Sequence, residues 1–299
     1  MSTALFWSGG KDSLLALDRA QRQGLDVTHL VNLFEGNSQR VRFHGVRKEL
    51  IEAQARALGK TLLQRFTHPE SFEQAFQAAM AELEEAGIDS IAFGNIHLAD
   101  IRAWYEERVT ANGFRHVEPL WGDAPAKLVR EFVQRGHRSR IVSVYLTCGR
   151  REWLGREFTT ELIEELERTP NVDVCGERGE YHSFAFGGPL FRWNLPIRNV
   201  GQFEVEQHLI LDLALEESGS SANGPDEPGS GEAPFTRGAA KLKRCGRCGA
   251  RFLCGPQRPN GGCWCEEMPA ITPRATFGTD CLCATCLGAF ASPVFVSRD

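Results

Sequence analysis

The stretch Phe6–Leu17, FWSGGKDSLLAL, constrains the fold of this chain more than any other. It places Ser8, Gly9, Gly10, Lys11, Asp12 and Ser13 in one tight turn between two apolar runs. Residues 3–7 read as a buried strand, and Leu14 to Ala20 carry apolar residues at helical spacing, so the turn joins a strand to a helix. Paired glycines let a backbone approach a ligand without Cβ clashes. The unpaired N–H groups that open a helix make an anion site. Ser8 and Ser13 add hydroxyls, and Lys11 adds a point charge suited to phosphate. Asp12 is out of place at an anion site unless it holds magnesium (Mg2+) or braces the loop. The pattern is neither G-x-x-x-x-G-K-[ST] nor the dinucleotide loop G-x-G-x-x-G.

The same alternation continues. Residues 27–34, 61–66 and 90–95 read as strands; 44–59, 71–87 and 98–113 read as helices. In 44–59, Val46, Leu50, Ala53 and Ala57 share a face, and Gly59 is a C-terminal stop. Ser71 is a candidate N-cap. Alternation of this kind predicts an α/β fold with right-handed crossovers and a parallel sheet covered on both faces. Residues 1–122 are expected to form that domain. Residues 123–214, with helices at 127–136 and 159–168 and short strands from 182, predict a second, smaller α/β domain. Residues 215–243 read as a Gly-, Ser-, Pro- and acid-rich linker with little to bury.

Beyond it, residues 244–290 hold eight of the ten cysteines: Cys245, Cys248, Cys254, Cys263, Cys265, Cys281, Cys283 and Cys286. Two C-x-x-C and two C-x-C pairs suit two four-thiolate zinc (Zn2+) sites or a two-metal cluster, with iron–sulfur the alternative. A segment this short needs metal for its stability. Its basic leading edge, Arg237 to Arg251, reads as a solvated face or as a surface for RNA or an acidic partner. The other two cysteines are Cys148, expected to be a small buried residue, and Cys175.

A net charge of −5 argues against non-specific nucleic-acid binding by the whole chain. No apolar run approaches the length of a membrane span. Residues 1–7 are too short for a signal peptide, so a cytoplasmic location is expected.

S-G-G-x-D-S after an N-terminal strand resembles the PP-loop of ATP pyrophosphatases, the HUP-type adenine nucleotide alpha hydrolases. That resemblance implies a Rossmann-like parallel sheet whose loop, Ser8 to Ser13, grips the β- and γ-phosphates of ATP. The α-phosphate stays open to attack, and AMP and pyrophosphate are the products. HGVRKELIEAQARALG (44–59), FGNIHLADIRAWYEERV (93–109) with PLWG (119–122), and CGERGEYHSFAFGGPLF (175–191) together resemble the diphthine–ammonia ligase family, over residues 1 to about 214. The tail resembles the cysteine-rich CWC domain, named for the triplet Cys263–Trp264–Cys265.

The family resemblance implies ATP-dependent amidation of diphthine, a modified histidine on translation elongation factor two. The acceptor carboxylate would attack the α-phosphate to give an acyl-adenylate, and ammonia would then displace AMP. Lys11 and Asp12 would serve catalysis as well as ATP binding. Asn32 and Leu33, ending the second strand, would meet adenine. Gly94 and Asn95 would border the ligand crevice. Many members carry Asp where this chain has Asn95. Glu177, Glu180, His182 and Ser183 would line the acceptor or ammonia pocket, where a carboxylate can take a proton from ammonium.

The residues carry plainer readings too. Gly176, Gly179, Gly187 and Gly188 can simply shape turns, and Glu177 and Glu180 can pair with Arg178 or Arg198. His44 can start a helix, and Trp104 and Trp121 can be packing. A tRNA-modifying PP-loop enzyme, by thiolation or lysidine-type ligation, and a non-catalytic nucleotide-binding sensor are the other functional readings.

Overall fold

The computed structural model describes residues 2–36, 38–216, 241–244 and 251–254. It divides into two units, Met1–Ser220 and Ser221–Asp299.

The first unit opens with β1 (Ser2–Phe6), α1 (Lys11–Arg22), β2 (Asp26–Glu35), α2 (Lys48–Leu58), β3 (Thr61–Thr67), α3 (Phe72–Glu85), β4 (Ser90–Ala92), α4 (Ala99–Ala111) and β5 (Arg115–Val117). The five strands pair in the order β3-β2-β1-β4-β5, all parallel. Side chains alternate across each strand, which sorts the core into two layers. Leu5 and Leu30 point to one face and pack with Leu14 and Leu17 of α1 and Leu50 and Ile51 of α2. Ala4 and Val31 point to the other and pack with Phe76, Met80 and Leu83 of α3 and Val109 of α4. The strand order reverses at β1, so the crevice for a ligand falls at the carboxyl ends of β1 and β4.

The helix signals act as expected at some ends and not at others. Gly59 takes the left-handed conformation that stops α2 (φ 65°). The helix itself starts at Lys48, four residues later than the sequence pattern suggests, because Gly45 turns the chain left-handed (φ 66°). That frees His44 from the helix. Ser71 precedes α3 without capping it; its hydroxyl accepts the His68 N–H instead.

The second region holds α5 (Pro125–Gln134), β6 (Arg138–Tyr145), α6 (Thr160–Arg168), β7 (Tyr181–Gly187), β8 (Ile197–Val205) and β9 (His208–Leu215). Its four strands pair in the order β7-β6-β9-β8 and are antiparallel throughout, so the smaller region carries helices on an antiparallel sheet. Thr159 caps α6 by accepting the Leu162 N–H. Cys148 is exposed, not buried as expected, because it lies on the turn that leaves β6.

Both sheets belong to one compact unit and are clasped by buried polar groups. Gln54 of α2, fully buried, donates to the carbonyls of Gly9 (2.9 Å) and Ala185 (2.6 Å) and accepts from Trp7 Nε1 (2.7 Å). Asp18 of α1 accepts from Arg135 and His137. Arg19 pairs with Asp123 and Glu131.

In the second unit, β10 (Lys241–Arg244) and β11 (Arg251–Cys254) form an antiparallel pair. β10 begins inside the stretch expected as linker. Apart from Cys254, which ends β11, the cysteines expected as zinc ligands lie outside the described residues. Among the described residues no helix is long and apolar enough to cross a membrane.

Candidate active site

A cavity of about 450 Å³ opens where the two sheets of the first unit meet. The turn between β1 and α1 forms its floor, and the residues that lead into β7 form one wall.

The turn is tightly held. Gly9 adopts φ 82°, and a Cβ there would lie 2.5 Å from Ile51 Cδ1 and 2.8 Å from Gln54 Oε1. A Cβ on Gly94 would lie 3.2 Å from the backbone of Asp12 and Ser13, so the end of β4 presses directly on the start of α1. Ser8 and Ser13 share a hydroxyl hydrogen bond of 2.9 Å. The Lys11 N–H at the helix start donates to Ser183 Oγ at 3.1 Å, and the Ala185 N–H donates to the Gly9 carbonyl at 2.8 Å. β7 thus pairs its backbone with the phosphate-type loop.

Lys11 is nearly fully buried. Its Nζ lies 2.9 Å from Asp12 Oδ2, donates to the Cys175 carbonyl and sits 5.0 Å from the centre of the Tyr181 ring. Burial is the largest influence on Lys11 and opposes its charge, but Asp12, Tyr181 and Cys175 together lift the ammonium above the usual lysine range. Burial pushes the Asp12 carboxyl up, against the pull of Lys11. Glu177 faces the same cavity, and burial followed by the nearby Asp12 raises its carboxyl to about 8.

Glu177 and Glu180, three residues apart, have different surroundings. Glu180 is 1 % exposed and does not line the cavity. It accepts from the backbone N–H groups of Asp173 (2.6 Å) and Arg178 (3.2 Å). It therefore shapes the 173–180 turn on which Glu177 is carried, pairing with neither arginine side chain considered from the sequence.

His182 lines the cavity beside His44, with ring centroids 4.6 Å apart. Nδ1 of His44 donates to the Ser183 carbonyl at 3.0 Å. Burial holds both imidazoles neutral: His44 falls to about 4 and His182 well below the usual histidine value.

Asn32 and Leu33 line the cavity, but the Asn32 amide is committed: Nδ2 donates to the Trp7 carbonyl and Oδ1 accepts from Gln64. Asn95 also lines it, with Nδ2 donating to Glu118 Oε1 at 2.7 Å. Trp104 packs against Phe72, Phe76 and Tyr105, and Trp121 lies under Arg102.

Ser8, Lys11, Asp12 and Ser13 of the turn, Asn32, Leu33, Gly94, Asn95, Glu177 and His182 therefore share one cavity, together with Ser183; Gly9 and Gly10 shape the turn without lining it, and Glu180 stands behind it. Sequence reasoning missed Gln54, Phe43 and Glu118. Gln54 had a signal, since it is a polar residue within the apolar stripe of α2. Glu118 lies just past β5 with no pattern to mark it. Cys175 lines the cavity too, but burial pushes its thiol far up and its Sγ donates to the Pro125 carbonyl.

Comparison with known proteins gives one consistent answer. Residues 1–116 match the family model described as diphthamide synthase N-terminal domain, and residues 124–214 match diphthamide synthase C-terminal domain. The chain is 26% identical over 261 residues to the diphthine–ammonia ligase of Rattus norvegicus, an alignment covering 76% of this chain and 97% of that protein. It is 25% identical to the diphthine–ammonia ligase of Danio rerio (62% of this chain, 82% of that protein) and to that of Homo sapiens (74% and 95%).

Proposed function

Because the chain belongs to the diphthamide synthase family, we propose that the cavity between its two sheets is where ATP, ammonia and a diphthine carboxylate meet. The reaction class is that of a diphthine–ammonia ligase: ATP-dependent amidation. One observation carries the residue assignment. The turn at the start of α1 and the segment that carries Glu177, His182 and Ser183 line the same cavity, joined through Lys11 and Ser183, which lie 172 residues apart in the chain.

The helix-start N–H groups and the Ser8 and Ser13 hydroxyls receive the β- and γ-phosphates. Lys11, ion-paired and tied to the Cys175 carbonyl, fixes the wall against this loop and adds positive charge beneath it. The acceptor carboxylate attacks the α-phosphate, the bond to pyrophosphate breaks, and an acyl-adenylate forms. Adenylation turns a poor leaving group into a good one. Ammonia attacks the acyl carbon and AMP leaves with the bonding pair. Glu177, held near neutrality in its proton affinity, takes the proton that ammonium must shed.

Magnesium fits the donors present. Asp12 offers a carboxylate beside the phosphate loop, and this ion is commonly held by one or two carboxylates together with substrate phosphates. When bound it neutralises charge on the phosphate oxygens. Among the described residues no cluster of three or more acidic, histidine or cysteine side chains forms a closed metal cage.

Supporting this reading over a thiolating enzyme is Cys175, whose buried thiol is far from forming a thiolate. The cysteine-rich tail is proposed as a zinc module, on the spacing of its thiols, with its basic edge toward RNA or an acidic partner; metal analysis of the purified chain tests it. A cytoplasmic site of action accords with an acceptor on a translation factor.

The test is incubation with ATP labelled at the α-phosphate, magnesium and ammonium, with diphthine-bearing elongation factor two or with bulk tRNA. AMP formed only with the elongation factor is the expected result. AMP formed only with tRNA would replace the proposal with the RNA reading.

A further inference from the structure

The cavity carries an aromatic array outside the residues assigned to the nucleotide. Phe43 is 53% exposed, yet it lines the cavity and holds a left-handed backbone conformation, φ 64°. A bulky residue with this backbone is rare and costs energy, so its ring is kept in place by the surrounding structure. The ring is near-parallel to His182 at 6.1 Å, and His182 lies 4.6 Å from His44. Phe43 also approaches His208 at 6.3 Å, which stacks on Tyr145 at 4.7 Å. The Arg42 guanidinium sits 4.8 Å from the centre of the Phe43 ring.

The array is wired to the reacting end of the cavity. His182 is followed directly by Ser183, whose carbonyl accepts from His44 and whose hydroxyl accepts the Lys11 N–H at the head of α1. A ring resting on Phe43 and His182 would thus lie at a fixed offset from the phosphate loop. The faces of Phe43 and His182 on this wall suit a flat aromatic group.

On the functional reading above, the acceptor is a modified histidine, which brings an imidazole ring to this site. We propose that Phe43 and His182 form the platform on which the acceptor's imidazole stacks, holding its carboxylate arm toward the α-phosphate. The inference rests on the ligase reading and adds to it the residues that select the acceptor.

The test is steady-state AMP formation with diphthine-bearing elongation factor two by the full chain and by Phe43→Ala, Phe43→Leu and Phe43→Tyr. ATP binding, measured separately by calorimetry, reports whether each variant keeps its site. The expected result is a rise in acceptor KM of about fivefold to thirtyfold in Phe43→Ala and Phe43→Leu, with ATP affinity unchanged. Phe43→Tyr, which keeps the ring, should restore an acceptor KM near that of the parent protein. Parent-level acceptor KM in both ring-less variants would overturn the platform and leave the ligase reading intact. An unmodified protein that binds ATP but forms no AMP with this acceptor would overturn both. Loss of ATP affinity in step with acceptor KM would show that Phe43 shapes the nucleotide site, and would also overturn the platform.

Discussion

Ser183 of β7 accepts the backbone N–H of Lys11 through its hydroxyl at 3.1 Å, so the second sheet supplies a cap for the helix proposed to receive the phosphates. The hydroxyl's own proton is free to reach an anion in the cavity that Ser183 lines. Replacing it removes both bonds. Ser183→Ala should lower stability by about 1 kcal/mol and raise the ATP KM roughly tenfold, since one hydrogen bond to a charged group contributes about 1.5–3 kcal/mol. Denaturant unfolding and initial rates of pyrophosphate release measure the two effects. Unchanged ATP KM would show that the hydroxyl only caps.

Gly9 has no room for a side chain. Its backbone is left-handed, and a Cβ would meet Ile51 and a Gln54 amide pinned by three hydrogen bonds. Gly9→Ala should cost roughly 2–3 kcal/mol from overpacking and backbone strain together. Because Gln54 also holds the Ala185 carbonyl, the change should separate the loop from β7 and lower activity more than stability alone explains. Urea midpoints and AMP formation well below the melting temperature test this. Parent-level activity there would refute the coupling.

The loop was legible in the sequence because its meaning is local: a strand, two glycines and a helix start can be read from neighbours. The alternation that follows it was legible for the same reason, since each strand and helix carries its own period. What escaped depends on residues distant in sequence. Glu177 and Glu180 look alike as letters, but the backbone N–H groups of Asp173 and Arg178 claim Glu180, leaving Glu177 on the cavity. His44 fell inside a helical pattern that Gly45 interrupts. The smaller region's helices were visible, whereas its antiparallel pairing is set by contacts of β6 with both β7 and β9, which no local pattern records.

Glu177 should make the free protein less stable as pH rises. Burial, then Asp12, lift its carboxyl to about 8 from an ordinary value of 4.5. Between those values the folded state binds more protons than the unfolded one, so stability falls with rising pH across that window and levels off above it. Glu177→Gln stays neutral and should gain on the parent protein as pH goes from 5 to 8. Paired thermal melts across this range measure the difference; parallel curves would remove the assignment. The same variant should flatten the rise in kcat/KM for ammonium toward pH 8. Ammonium's own titration is common to both proteins, so their ratio isolates Glu177.

Glu118 should act on the reaction through Asn95. Its Oε1 accepts from Asn95 Nδ2 at 2.7 Å, which turns the amide oxygen of Asn95 away from it, on a residue that lines the cavity. The Asn95 amide oxygen there can accept an N–H of ammonia. Glu118 is almost fully buried and also lies 3.3 Å from Arg102 and His116, so removing it takes the acceptor from Asn95 Nδ2 and the carboxylate from beside Arg102. Glu118→Ala should cost about 2–3 kcal/mol and release the Asn95 amide to turn. Glu118→Gln can present its own carbonyl to Asn95 Nδ2 and keep the orientation. The expected pattern is an ammonium KM raised about fivefold in Glu118→Ala, close to parental in Glu118→Gln, and an ATP affinity unchanged in both, as one hydrogen bond of about 1 kcal/mol would give. Equal ammonium KM values in all three proteins would show that Glu118 only holds the end of β5 together.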